Sequence, residues 1–407
     1  MRQTGVWVYS PRHMDASPFR SHWSLDPEVT FLNHGSFGAC PTRVLEAQSR
    51  LRARMEAEPV RFLHREFEAL ADSARAALGS FLDADPDDLA FVSNATTGVN
   101  TVLQSLRFAP GDELLTTDHE YNASRNALDF VARRWGVKVV VAKLPWPVPS
   151  AQAVVDTVLA HVTERTRLLL IDHITSQTAL VLPLAPLVRV LRERGVETLV
   201  DGAHGPGQVP LSLRQLGAAY YTGNCHKWIC APKGAAFLYV RRELQADVRP
   251  LVISHGFNSR RKDRSQFRLD FDWVGTGDPT PFLCIPQALE VVGGLLPGGW
   301  PEVMASNRAK ATAARRFLCE RLGVAPHCPE DMVGSMATVS LPEGFPAEPS
   351  VLGLDPLQDR LLLEHGIEVP IVPWPRPPHR HVRVSAQLYN SHAEYQRLAE
   401  ALEALSR

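Results

Sequence analysis

The segment Glu197-Thr-Leu-Val-Asp201-Gly-Ala-His204-Gly, followed by Tyr220-Tyr-Thr-Gly-Asn-Cys-His226-Lys227-Trp228, holds two apolar runs that each end in a polar group at a turn. A short apolar run that stops at glycine or small polar residues reads as a buried strand. Open α/β sheets bind ligands beyond the carboxyl ends of their strands, so Asp201 and Lys227 stand where chemistry is expected. Outward from this pair the rhythm repeats. Strands are predicted at 89–93, 113–116, 137–142, 168–172, 197–200, 219–222 and 234–239, with helical periods at 97–106, 123–135, 151–161 and 184–194. That alternation is the pattern of βαβ units and predicts an α/β fold with a large, mostly parallel seven-stranded sheet. Two helices, 42–57 and 61–81, precede it. Past residue 280 the pattern changes to longer helices at 287–295 and 301–322, strands at 336–340, 367–369 and 381–384, and a closing helix at 391–405. This part reads as a smaller α+β C-terminal domain. The expected organisation is an N-terminal arm at 1–30 associated with the small domain, a large domain at 31–282 and the small domain at 283–407.

With 45% hydrophobic and 21% charged residues, the 407-residue chain has the make-up of a globular protein of more than one domain. Its 43 basic and 44 acidic residues leave no field to steer a polyanion, so no nucleic-acid partner is expected. The first twenty residues lack a continuous apolar segment, and nowhere does the chain supply the roughly eighteen apolar residues in a row of a membrane helix. No membrane partner is expected. Cys40, Cys225, Cys230, Cys284, Cys319 and Cys328 are too scattered for a disulfide framework and show no zinc spacing, which suits a reducing, cytoplasmic setting. There are only six lysines against thirty-seven arginines, so chemistry that needs a primary amine has few candidates.

Three segments carry such chemistry. Phe91-Val-Ser-Asn-Ala-Thr-Thr-Gly-Val-Asn100 ends a strand in small polar residues and opens a helix. Backbone N–H groups there, joined by a threonine hydroxyl, form an anion site that suits a phosphate ester, although a plain N-cap box explains the same residues. Asp201 is delivered by a buried strand, and the bland alternative is that it caps the next turn. Lys227 lies among His226, Trp228 and Ile229, which desolvate an amine and favour its neutral, Schiff-base-forming state; the alternative is an ordinary surface lysine. Together the three match the needs of pyridoxal 5'-phosphate. It requires a phosphate cup, an acid that keeps the pyridine nitrogen protonated, and a lysine that binds the aldehyde.

The motifs Phe31-Leu-Asn-His-Gly-Ser-Phe-Gly38, Asn94-Ala-Thr96, Asp118-His-Glu-Tyr-Asn-Ala123, His173-Ile-Thr-Ser176, Asp201-Gly-Ala-His204, His226-Lys227, Gly275-Thr276 and Val382-Arg-Val-Ser385 resemble those of class V aminotransferases of fold type I. The opening Asn33-to-Gly38 stretch is most similar to the isopenicillin N epimerase-like branch, and the resemblance spans about residues 31–390. It implies an aspartate aminotransferase-like fold and a homodimer that shares its active sites. It also implies that Lys227 forms the Schiff base, Asp201 faces the pyridine nitrogen and Ala203 lies against the ring. Ala95, Thr96 and His226 would hold the phosphate, with Asn224 beside them and Thr276 reaching the neighbouring subunit's phosphate. His204 belongs to the cofactor-binding set, and Ser176 would approach the phenolic oxygen. Tyr121 would stack on the far face of the ring, or His119 if the motif is shifted. Arg383, with Asn33 and His34, would bind an amino-acid substrate through its α-carboxylate.

Cysteine desulfurases carry a nucleophilic cysteine on a loop before the last strands, but His365-Gly-Ile-Glu-Val-Pro-Ile-Val-Pro-Trp374 has none. Cys328, the last cysteine, is assigned to packing or a surface thiol. His379 and His381 beside the Pro-rich loop lack accompanying ligands, so no metal is expected. The basic run 259–268 reads as a solvated loop, with binding of a distal substrate carboxylate as its functional alternative. A nicotinamide enzyme is disfavoured, since no G-x-G-x-x-G follows a strand. A scaffold without turnover is disfavoured by the Lys227, Asp201 and Arg383 set. The expected activity is proton removal at Cα of an amino acid or amino-acid-containing peptide, as an epimerase or racemase. A C–S lyase working by β-elimination and an aminotransferase are the alternatives. Tyr121, His119 or His34 would supply the proton on the face away from Lys227.

Overall fold

Residues 16–342 and 355–406 are described by the structure, a computed structural model. The first half of the expected arm, 1–15, lies outside the described residues. β1 (Thr30–Phe31) precedes the large sheet, whose strands are β2 (Leu89–Val92), β3 (Glu113–Thr117), β4 (Lys138–Ala142), β5 (Thr166–Asp172), β6 (Glu197–Gly202), β7 (Tyr220–Asn224) and β8 (Ala236–Val240). They run in the order β2-β8-β7-β6-β5-β3-β4, parallel except for β8, which is antiparallel to both β2 and β7. All seven predicted strands are present. The short connection from Asn224 to Ala236 has no room for a crossover helix, which explains why β8 turns back antiparallel.

Leu115, Leu169, Ile171, Val200 and Phe237 point to one face of the sheet, and Leu114, Leu168, Leu170, Leu199 and Leu238 to the other; both sets are buried. A sheet covered on both faces needs strands that are apolar throughout, which is how these strands read. The helix expected at 61–81 is broken: Arg61–Glu66 forms a π-type turn before the α-helix Phe67–Leu82.

Beyond the large sheet, β9 (Met336–Ser340), β10 (Ile367–Glu368), β11 (Ile371–Pro373) and β12 (Arg380–Ser385) follow the long helix Gly299–Leu322. β12 is the middle of an antiparallel sheet between β11 and β9. The strand expected at 367–369 pairs instead with β1, in parallel. Leu318, Val339, Leu361, Val384 and Leu398 form a separate apolar core for this part. The described part of the arm packs against the same region: Trp23 joins Val292, Val303, Leu388 and Tyr389, and Arg20 pairs with Glu394 at 3.4 Å. A helix at Pro356–His365 and the strand β11 were absent from the sequence expectation.

Candidate active site

The helix Ala95–Ser105 packs on β6 and β7, and its first turn meets the carboxyl end of β7 at Asn224. β7 is followed directly by the turn that carries Lys227, whose Nζ lies 3.1 Å from His204 Nε2. Burial, then the nearby Arg383 charge, lowers the lysine pKa to about 7, while Asp201 and Asp172 pull the other way. The neutral amine is therefore available near neutral pH.

Asp201 is buried at the end of β6. Its Oδ2 accepts from Ser124 Oγ at 2.7 Å and its Oδ1 from the Ala203 N–H at 3.1 Å. The β5–β6 register sets Asp172 beside it, and Glu120 completes a group whose carboxylate oxygens lie within 4.8 Å of one another. Burial raises all three pKa values, and mutual repulsion adds to the effect on Glu120 and Asp172, which are pushed well above the carboxylate range. Glu120 Oε1 and Asp172 Oδ2 have no hydrogen-bond partner among the described residues. Asp201, with two fixed hydrogen-bond donors, is the member of the group best placed to hold a negative charge.

Ala95 opens its helix, and its N–H donates to Asn224 Oδ1 at 2.8 Å; Asn94 Oδ1 caps the turn by accepting from Thr97 N–H at 2.8 Å. Thr96 is half-buried in the same turn. Gly98 is required here, because a Cβ would run into the Thr222 side chain and lift the helix off β7. His226 Nδ1 donates to the Ala235 carbonyl at 2.9 Å, which leaves Nε2 for a ligand. On the opposite wall β12 presents Arg383. Its Nη1 donates to the Ser176 carbonyl and lies 3.4 Å from Ser176 Oγ; its Nη2 donates to Ser36 Oγ at 3.0 Å and Asn33 Oδ1 at 3.5 Å. Burial lowers the Arg383 pKa to about 10, and Nε has no partner among the described residues.

The donor set fits pyridoxal phosphate. A lysine that loses its proton near pH 7, a buried carboxylate with two fixed donors and a helix N-terminus converge within a few residues of Lys227. The model for the family "Aminotransferase class-V" matches residues 32–268. Isopenicillin N epimerase of Amycolatopsis lactamdurans is 37% identical over 95% of this chain and 98% of its own. The chain belongs to the class-V aminotransferase family. A probable chloroplastic L-cysteine desulfhydrase of Arabidopsis thaliana is 32% identical over 98% of this chain and 88% of its own. Among solved structures, a mutant of C-DES with glycine covalently linked to its PLP cofactor matches with a TM-score of 0.79 at 22% identity, covering 96% of this chain and all of that one. The fold is thus that of the PLP-dependent fold type I enzymes.

Within this class-V aminotransferase chain the residues proposed for the far side of the site separate. His119 is buried, with Nδ1 2.7 Å from Thr178 Oγ1 and its ring 4.2 Å from Trp374, and burial lowers its pKa to about 3. His34 is also buried: Nδ1 lies 2.8 Å from the Tyr389 hydroxyl and Nε2 donates to the Lys227 carbonyl at 3.0 Å. With both nitrogens engaged, it sits behind Lys227 as a brace. Tyr121, at the start of the helix Asn122–Trp135, is 42% exposed. Gly38 adopts φ +72° and a side chain there would strike the His226 carbonyl, so the Asn33–Gly38 loop closes tightly over the lysine turn.

Thr276 is not brought to the other site residues; it sits on an exposed loop. That loop borders a cavity of about 440 Å³ lined by Ser93, Thr97, Leu251, Val252, Trp273 and Gly275. The basic run 259–268 is held in ion pairs, Arg261 with Glu68 at 2.5 Å, Arg264 with Asp72 at 2.8 Å and Arg268 with Asp87 at 2.6 Å. These arginines are spent on a structural network and are not free for a distal carboxylate. Cys328 packs between the two main apolar clusters, with its thiol 3.4 Å from Arg315 Nη1. Sequence reasoning missed Ser124, Glu120, Asp172 and Ser36. Each lies in or beside a motif it singled out, but nothing in one chain shows that they converge.

Proposed function

We propose that the protein is a pyridoxal-phosphate enzyme that acts at Cα of an amino acid or an amino-acid-containing peptide, by epimerisation of the isopenicillin N epimerase kind. The observation that carries the reading is the buried Lys227 amine in the turn after β7, 3.1 Å from His204 Nε2, with Asp201 at the end of the neighbouring strand; burial lowers its pKa to about 7. When bound, the cofactor supplies an electron sink for the pair left behind as Cα loses its proton. Lys227 holds the cofactor and then serves as the base, because a neutral amine accepts that proton. Asp201 would face the pyridine nitrogen and keep it protonated, with Ala203 against the ring. Ala95, Thr96, Asn224 and His226 would hold the phosphate, Ser176 would approach the phenolic oxygen, and His204 would belong to the cofactor-binding set. Arg383 takes the α-carboxylate in a bidentate grip, with Asn33 and Ser36 orienting the guanidinium. Tyr121 is read as returning the proton on the face away from Lys227, with His119, whose Nε2 has no hydrogen-bond partner among the described residues, as the alternative; both nitrogens of His34 are engaged.

A second reading is β-elimination across a C–S bond. Relatives named as L-cysteine desulfhydrases at 29–32% identity support it, and it needs no acid opposite Lys227. Transamination is the third outcome open to the same residues. The assembly is read as a homodimer in which Thr276 of the partner subunit completes the phosphate site; the exposed Leu251, Val252, Ile253 and Val274 beside the cavity support it. A cytoplasmic location is supported by six free cysteines. No helix among the described residues is long and apolar enough to cross a membrane.

The test is the visible absorption of the purified protein beside Lys227→Ala, followed by incubation with amino acids in deuterated water. A band lost in the variant and deuterium at Cα with inversion are expected. Keto-acid release from a cysteine-derived substrate without inversion would replace epimerisation by the lyase reading. A protein that stays colourless after pyridoxal phosphate is added would overturn both.

A further inference from the structure

Trp228 follows the reactive lysine and is completely buried, but its indole N–H is not spent on backbone. It donates to Nδ1 of His204 at 3.4 Å, and Nε2 of the same imidazole lies 3.1 Å from Lys227 Nζ. An indole N–H can only donate, so Nδ1 must be the acceptor and carry no proton. The proton of a neutral imidazole is then on Nε2, and an Nε2–H aimed at the lysine needs a lone pair there. An ammonium has none, whereas a free amine does.

We propose that Trp228 is a positioning residue for the Lys227 amine, acting through His204: the indole holds the imidazole in its Nε2–H tautomer, and that N–H is donated to the uncharged lysine. The inference rests on the reading of Lys227 as the reactive amine, and adds what keeps that amine deprotonated while no substrate or cofactor occupies it. The remaining charged and titratable groups around the pair are Arg383 from β12, Asp201 and Asp172 from the ends of β6 and β5, His34 from the short helix His34–Phe37, and His226 beside Lys227 in the same turn, kept neutral by burial. Arg383 disfavours a charged lysine, as His204 does by its tautomer. The two carboxyl groups favour it, and His34 is engaged by Tyr389 and the Lys227 carbonyl. Burial keeps the imidazole itself neutral, which the tautomer argument requires.

Trp228→Phe keeps an aromatic ring and removes the donor. With Nδ1 uncapped, the imidazole can carry its proton there and offer the Nε2 lone pair to a lysine ammonium, so the charged lysine gains an acceptor. The measurement uses the full chain without cofactor. The pH dependence of reductive methylation at Lys227, read by peptide mass spectrometry, is expected to shift upward by about one pH unit in Trp228→Phe, a roughly tenfold change in the neutral fraction. In parallel, ¹⁵N spectra of histidine-labelled wild type, with His204 assigned by its loss in His204→Asn, are expected to show an unprotonated Nδ1 and a protonated Nε2. A wild-type His204 protonated at Nδ1 overturns the proposal, and so does an unshifted methylation profile in a folded Trp228→Phe. Should that variant not fold, the wild-type tautomer alone decides. Because both readouts are taken without cofactor, a protein that fails to bind pyridoxal phosphate would sink the functional reading while leaving this one standing or fallen on its own result.

Discussion

Arg383, on β12 of the small sheet, is close enough to Lys227, in the turn after β7 of the large sheet, for its charge to act on the lysine. Arg383 is buried with its guanidinium split between Ser176, Ser36 and Asn33, a fork that an ammonium cannot reproduce. Arg383→Lys is expected to raise KM for the amino-acid substrate tenfold or more while kcat changes far less, the signature of lost uniform binding; a fall in kcat at unchanged KM would contradict the anchor role. The carboxyl group of Asp172 carries a different prediction. Its folded pKa is raised, so the stability it contributes is complete below the unfolded carboxylate value of about 4 and is lost as the pH rises towards the folded value. Asp172→Asn removes that loss. Urea unfolding of the cofactor-free protein is expected to find the variant more stable at pH 8, by about 1 kcal/mol, with the two proteins converging near pH 4. Parallel stability curves would show that the acid is not held protonated. The chemical types at 201 and 227 were legible because each follows an apolar run, whereas Arg383, inside its strand, was assigned only through the family resemblance. The carboxyl triad was not, because Glu120 sits between two other candidate residues and looks like neither a cap nor a ligand.

At the scale of elements, the proposed phosphate cradle depends on how one helix meets one strand. Asn94 caps the helix Ala95–Ser105, Gly98 lets it lie on β7, and Asn224 at the end of β7 takes the Ala95 N–H. Asn224→Asp keeps the acceptor but adds a negative charge where a phosphate dianion is proposed to sit. Pyridoxal-phosphate affinity is expected to fall at least tenfold, measured by fluorescence titration, and unchanged affinity would move the phosphate elsewhere. The helices and strands of the large sheet were readable because each has a clean period, and their bounds moved by only a residue or two. Departures that leave the local apolar spacing unchanged were not legible. The π-type turn at Arg61–Glu66 keeps a helical apolar spacing and so passed as α-helix. The residues 367–369 read as a strand of the small sheet, but the partner that completes them is β1, more than three hundred residues earlier.

For the whole molecule, one exposed apolar surface stands out. Leu251, Val252, Ile253, Phe257 and Val274 are 44–61% exposed and run past the cavity beside Ser93 and Thr97. Contiguous apolar surface of this kind marks an association site, and a homodimer seated there would carry the Thr276 loop to its neighbour. Val252→Asp is expected to shift the protein from dimer to monomer by light scattering and to weaken cofactor retention with it; an intact dimer would place the interface on another face.

Composition, the period of the apolar residues and the polar groups that end each run were enough to determine an α/β chain with a buried acid and a buried lysine at neighbouring strand ends. These are local properties, set by side-chain chemistry and spacing along the backbone. Which histidine nitrogens are engaged, which carboxyl is best placed to keep its charge, and the chain of contacts from Trp228 through His204 to Lys227 were decided only by the tertiary structure. Burial and hydrogen-bond partners arise between segments far apart in the chain, and they set protonation through desolvation and geometry that no local pattern encodes.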